Sequence, residues 1–112
     1  MPRIWRGATR EADADAYLKY MDGTGGNAAR STDGNRGVQI LRRIRDGRAE
    51  FVFISFWDSL DAIRRFAGPD PERAVFYPED QRFLIEAEQS VAHFELFNEP
   101  VAQAAAISPG RS

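Results

Sequence analysis

The chain has 112 residues, no cysteine, one histidine and a formal net charge of −2, which bounds it to one domain of ordinary size. Disulfides, zinc knuckles, iron–sulfur ligation, a thiol nucleophile and any site needing two imidazoles are excluded. The weakly acidic balance gives no field to attract nucleic acid, no apolar run is long enough to span a membrane, and the first residues lack the apolar stretch of a signal peptide, so a cytoplasmic location is expected.

Residues 3–8 read as a short first strand, with Ile4 and Trp5 supplying the bulk. From about Thr9 the period changes, and Ala14, Tyr17, Leu18 and Met21 fall on one helical stripe. Glu11 and Asp13 sit near the start of that helix, where acids are favoured, and Asp15 and Lys19 are spaced as an i,i+4 pair. Gly23 to Gly26 is expected to end the helix, and the glycine-rich stretch 22–37 to form a long loop. It lacks the GxxxxGK[ST] pattern of a phosphate cradle.

Val38 to Arg45 then reads as a second strand, and Asp46-Gly47 as a hairpin turn. The third strand, Glu50 to Trp57, is apolar on both alternating faces: Phe51, Phe53 and Trp57 on one, Val52, Ile54 and Phe56 on the other. Such a strand needs cover on both sides. Asp58 or Ser59 caps the next helix, whose stripe is Leu60, Ile63, Phe66 and Ala67, and Gly68-Pro69 stops it. Asp70-Pro71 and Tyr77-Pro78-Glu79-Asp80 resemble caps with proline at the first helical position, so two short helical turns are expected. Ser90 to Phe97 is the last strand, and an Ala-rich tail expected to be mobile follows from residue 99.

The order is β-α-β-β-α-β, an α+β, ferredoxin-like domain over residues 1–98. Two helices would cover one face of a four-stranded antiparallel sheet. Because the third strand is apolar on both faces, a homodimer packed through its sheet faces is expected to cover the other.

Arg3-Ile4-Trp5-Arg6-Gly7, Gly34-Asn35-Arg36-Gly37-Val38, Trp57-Asp58-Ser59-Leu60, Phe66-Ala67-Gly68, Tyr77-Pro78-Glu79-Asp80 and Val91-Ala92-His93-Phe94-Glu95 recur in that order. Together they resemble the antibiotic biosynthesis monooxygenases of the dimeric α+β barrel superfamily, over roughly residues 2–98. The resemblance implies a pocket between the sheet and the helices of each subunit. It places Trp57, Tyr77 and His93 around that pocket, together with Arg6 and Asn35. The superfamily also holds haem degraders, isomerases and proteins without known activity, so it leaves function open.

Oxygenation of a small aromatic or polyketide-like molecule without metal or flavin needs a base, an anion-stabilising donor and an apolar enclosure. His93 is the candidate base, Arg6 or the Tyr77 hydroxyl the donor, and Trp57, Phe53, Phe76 and Phe94 the enclosure. Each has a plainer reading. A single strand histidine often simply packs, Trp57 fits a core, Tyr77-Pro78 starts a helix, Arg6 fits a pair with an acid such as Glu95, and Asn35 between glycines fits a turn. No cofactor is expected. Haem is disfavoured, since the first strand has no Asn and the one His lies in the last strand; a metal site resting on His93 and Glu95 is weakly supported. The arginines 42, 43, 45 and 48 read as a solvated edge that resists strand addition. Two other functions stay open: a non-catalytic dimeric module that binds a small ligand or serves under stress, and an oxygen-independent isomerase or lyase with one His base.

Overall fold

In the computed structural model, which describes residues 1–98, the longest strands build the sheet from its centre outward. β1 (Pro2–Arg10) pairs antiparallel with β3 (Arg48–Trp57), and β3 pairs antiparallel with β2 (Asn35–Arg45). The β2–β3 hairpin turns on Asp46 and Gly47, with φ of 55° and 75°, the left-handed pair that matches strand twist. On its other edge β1 carries β4 (Leu84–Ala87) and β5 (Ala92–His93), both antiparallel, giving the order β2-β3-β1-β4 with β5 beside β1. The fold is thus α+β with an antiparallel sheet of five strands, consistent in general terms with a ferredoxin-like arrangement.

The expected last strand, Ser90 to Phe97, shrinks to Ala92–His93, and an additional strand at 84–87 precedes it. The chain pairs with β1 over 84–87, then leaves it and returns at Ala92. Between them it pairs with residues 72–74 instead. Ala74 N–H donates to Gln89 O, Val91 N–H to Glu72 O, and Arg73 bridges Ser90. Phe94 to Phe97 lie outside the strand and are exposed.

The helical layer also departs from expectation. A 3-10 turn (Glu11–Asp13) leads into α1 (Ala14–Met21), and the helix does not stop at the glycines. It widens into a π turn (Asp22–Gly26) and continues as α2 (Asn27–Arg30). Glycine disfavours helix by about 1 kcal/mol per residue, but tertiary burial and local bonds outweigh that here. Ala29 is fully buried in the core, Thr24 Oγ1 donates to Tyr20 O, Asn27 Nδ2 to Gly23 O, and Arg30 pairs with Asp22 at 2.9 Å. The expected Asp15–Lys19 pair gives way to Asp15–Arg42 at 2.8 Å.

α3 (Leu60–Ala67) starts where Ser59 Oγ accepts the Ala62 N–H at 3.1 Å and ends at Gly68, φ 94°. It buries Ala62 and Ile63 against the sheet and leaves Leu60 exposed, because Leu60 lies in the first turn, beyond the sheet's edge of cover. Of the two short turns expected downstream, residues 71–72 form a turn and α4 (Asp80–Phe83) a single helical turn.

One face of the sheet is sealed by these helices. On β3, Ala49, Phe51, Phe53, Ser55 and Trp57 are all buried, while Glu50, Val52, Ile54 and Phe56 on the other face are half-exposed. β2 is an edge strand carrying Arg42, Arg43 and Arg45 in exposed positions, as expected for an edge that discourages further pairing. The tail expected from residue 99 lies outside the described residues. No helix among the described residues is long and apolar enough to cross a membrane.

Candidate functional site

Side chains at i and i+2 of a strand share a face, so Arg3 and Trp5 of β1 both point toward the helices. Trp5 lies back along the strand over Gly7, where a Cβ would meet the indole at 2.3 Å. Its Nε1 donates to Glu88 O at 2.8 Å, and the ring meets Phe76 edge-on at 6.2 Å. A cleft opens beside it, walled by Trp5, Phe53, Phe66, Phe76 and Tyr77. Thr24 and Gly25 of the π turn form its roof, consistent with the tendency of such turns to occur at functional sites.

Besides Thr24 and Tyr77, three more polar side chains reach this cleft: Arg3, Tyr17 and Asp80. Arg3 is 3% exposed. Its Nη2 donates to Arg73 O at 2.7 Å and its Nε to Pro71 O at 3.4 Å, and the guanidinium lies 5.5 Å from the centre of the Phe66 ring. Among the described residues no carboxylate lies within ion-pair distance of it. Burial therefore lowers its pKa to about 10, with Tyr77 pulling the other way.

Asp80 is 6% exposed and likewise has no cation within ion-pair distance among the described residues. Its Oδ1 accepts the Tyr17 hydroxyl at 2.9 Å and its Oδ2 the Tyr77 backbone N–H at 2.6 Å. Burial and the neighbouring carboxylate push the Tyr17 phenol far above its usual range. They raise Tyr77 too, burial first, against the pull of Arg3.

The enclosed space is about 40 Å³, room for a few water molecules. An apolar cavity of roughly 150 Å³ takes a benzene, so a ring enters only if part of the wall moves. Val75 and Phe76 are the part of the wall with the fewest ties: they have no regular secondary structure and make no backbone hydrogen bond among the described residues, whereas Tyr77 is bonded through its N–H and its carbonyl to Asp80.

The residues expected at the site separate into groups. Phe53, Phe76 and Tyr77 line the cleft. Trp57 stands behind it, 1% exposed, stacked on Phe66 at 5.5 Å and bonded through Nε1 to Ser55 Oγ. His93 pairs with Arg3 across β1–β5 and faces the helical layer, but does not line the cleft. Its Nε2 is buried without a partner among the described residues. Burial first, then Arg3, lowers its pKa, opposed by Glu72 and the Pro71 carbonyl.

Arg6 does not join them. Three residues from Arg3, it lies on the opposite face in an open groove with Leu41 and Val52, and its backbone N–H donates to Glu88 Oε1. Asn35 starts β2 opposite Trp57 at a bulge, where its Oδ1 accepts the Gly37 N–H at 2.9 Å. Phe94 is 50% exposed beyond β5. Arg3, Trp5, Tyr17 and Asp80 were missed. The parity of β1 was the available signal, since it puts Arg3, not Arg6, on the face of Trp5.

Neither a scan against protein-family models nor a search of curated proteins finds a match. Among the described residues no cluster of His, Asp or Glu is arranged to hold a metal ion.

Proposed function

We propose that this domain acts on a small aromatic or polyketide-like molecule held in the cleft between sheet and helices, as a monooxygenase that uses no metal or flavin. The observation that carries this reading is a buried guanidinium with no carboxylate in ion-pair distance among the described residues, in a cleft lined by six aromatic side chains. A phenolate or enolate is the species that both features favour, since the rings hold its plane and the positive charge of Arg3 on the cleft wall favours an anion within it. Asp80 is the carboxylate on the cleft wall positioned to take the proton. The resulting electron-rich carbanion reduces dioxygen directly. For an anthrone-type CH₂, one oxygen atom is kept as the new carbonyl and the other leaves as water with both hydrogens, so no external reductant is needed.

The same reading includes a ferredoxin-like homodimer, in which Val52, Ile54 and Phe56 of β3 with Ile4 of β1 form the apolar centre of the contact. Sedimentation should then give twice the chain mass, and Ile54→Asp should halve it while leaving far-UV circular dichroism intact. A single-chain mass for the unaltered protein refutes the dimer.

Oxygen uptake with an anthrone or hydroquinone in metal-free buffer tests the chemistry. Turnover that falls at least tenfold in Asp80→Asn or Arg3→Gln is the expected result. A second reading, a binding module without turnover, is favoured by the place of His93 outside the cleft lining. Binding of the same compounds with no oxygen uptake would establish it.

A further inference from the structure

Burying one charge without a counter-charge is costly, and proteins normally pair the group or neutralise it. Here a cation and an anion line one small cleft, and neither is within ion-pair distance of the other or of any other charged group among the described residues. Each is instead held in place by bonds that leave part of its capacity free. Arg3 spends Nε and Nη2 on the Pro71 and Arg73 carbonyls, and Nη1 makes no hydrogen bond among the described residues. Asp80 accepts one bond on each oxygen, from Tyr17 and from the Tyr77 backbone, while a carboxylate has about four acceptor sites. The backbone and tyrosine bonds fix the orientation of both groups before anything binds.

Between these two poles the walls are aromatic, with Phe66 under the guanidinium and Trp5, Phe53 and Tyr77 around the space. We infer that the ligand is a small aromatic carboxylic acid bearing a ring hydroxyl, its carboxylate meeting Arg3 and its hydroxyl donating to Asp80. This rests on the cleft being the ligand site and adds the polarity and orientation of what enters it. A carboxylate matches the planar donor fork of arginine, and a hydroxyl donor matches the free acceptor sites on the Asp80 oxygens. A purely apolar ring would leave both charges buried and unmatched, and a diacid would set a second anion against Asp80. Gly25 sets the size limit. A Cβ there would meet Tyr77 at 3.6 Å and Phe53 at 3.9 Å, so a larger side chain at this position extends into the space the ring needs.

Isothermal titration of the unaltered full chain with 3- and 4-hydroxybenzoate, benzoate and the matching hydroxybenzamides tests this. The better hydroxybenzoate should bind about tenfold tighter than its amide, which lacks the charge, and about tenfold tighter than benzoate, which lacks the donor. Arg3→Gln should erase the preference for acid over amide, and Asp80→Asn the preference for the hydroxyl. These comparisons on the unaltered chain decide the matter even if either variant fails to fold. Equal affinity for acid and amide, or for hydroxybenzoate and benzoate, overturns the inference. If Gly25→Val then abolishes that undiscriminating binding, the cleft remains the ligand site and only its polarity is refuted. Binding that Gly25→Val leaves unchanged refutes the cleft as the site and the inference with it, whereas no binding of any of these compounds overturns the inference and leaves the cleft to the oxygen-uptake test.

Discussion

The two faces of the central sheet are built from the same kinds of residue and treat charge in opposite ways. On the outer face the ionised groups sit in reach of one another. Glu50 is hydrogen-bonded to Arg43, which holds its carboxyl below the usual range, and Arg48 reaches Glu86. On the helical face Arg3 and Asp80 line a common cleft and stay apart. Exposed pairs contribute little, about 0–1 kcal/mol, because water already solvates them. Buried single charges are expensive, so a fold keeps them only where something compensates. The outer face leaves its charges paired in solvent; the inner face leaves two charges unpaired, which is the feature the proposed polar aromatic ligand would match.

Substitutions on the two faces sharpen this contrast, and the largest effect belongs to the sealed one. Phe51 is 1% exposed and meets Tyr17 edge-on at 5.2 Å. Phe51→Ala should cost about 3–5 kcal/mol in urea unfolding; a loss under 1 kcal/mol would mean that this face is not the core. Gly7→Ala comes next, since the new Cβ would strike an indole pinned by its bond to Glu88. A loss of about 1–3 kcal/mol, with a changed near-ultraviolet tryptophan signal, is expected. Ile54→Ala on the outer face should cost only about 1 kcal/mol in dilute protein. If two copies pack there the cost rises with protein concentration, so a concentration-independent value breaks the proposed pairing.

The smallest effect is a pH dependence. His93 has a folded-state pKa below its usual 6.5, through burial and the nearby guanidinium. The unfolded chain then binds the proton more readily, so stability is fully present above about pH 6.5 and falls as pH drops below it. His93→Gln should flatten the unfolding midpoint between pH 7 and pH 5.5. An unchanged slope would show that His93 titrates as it does in the unfolded chain.

The features written in local chemistry were legible in the sequence. The Asp46-Gly47 turn, the two-sided alternation of β3, the Ser59 cap and the Gly68-Pro69 stop each depend on a few adjacent residues. What escaped depends on competition across the chain. Gly23, Gly25 and Gly26 carry no sign that Ala29 is buried beyond them, and nothing in Glu88-Gln89-Ser90 announces a partner at 72–74. The cleft was half legible: Phe53, Phe76 and Tyr77 stood out as aromatic. Asp80 read only as part of the helical turn that Tyr77-Pro78 starts, because a carboxylate that orders a turn and one that lines a cleft have the same local surroundings, and Asp80 does both. Arg6 and Arg3 are chemically identical, and only the parity of β1 and the pairing of Arg3 with His93 separate them.

The five-residue π turn over the cleft also fixes the angular phase of everything that follows it in the helix. Each α-helical residue advances the chain by about 100°, so the extra residue turns Ala29 toward the sheet. Removing one residue from 22–26 would straighten the helix and swing Ala29 away by the same angle, closing the roof and unseating the core together. The length of this segment is therefore constrained along with its composition.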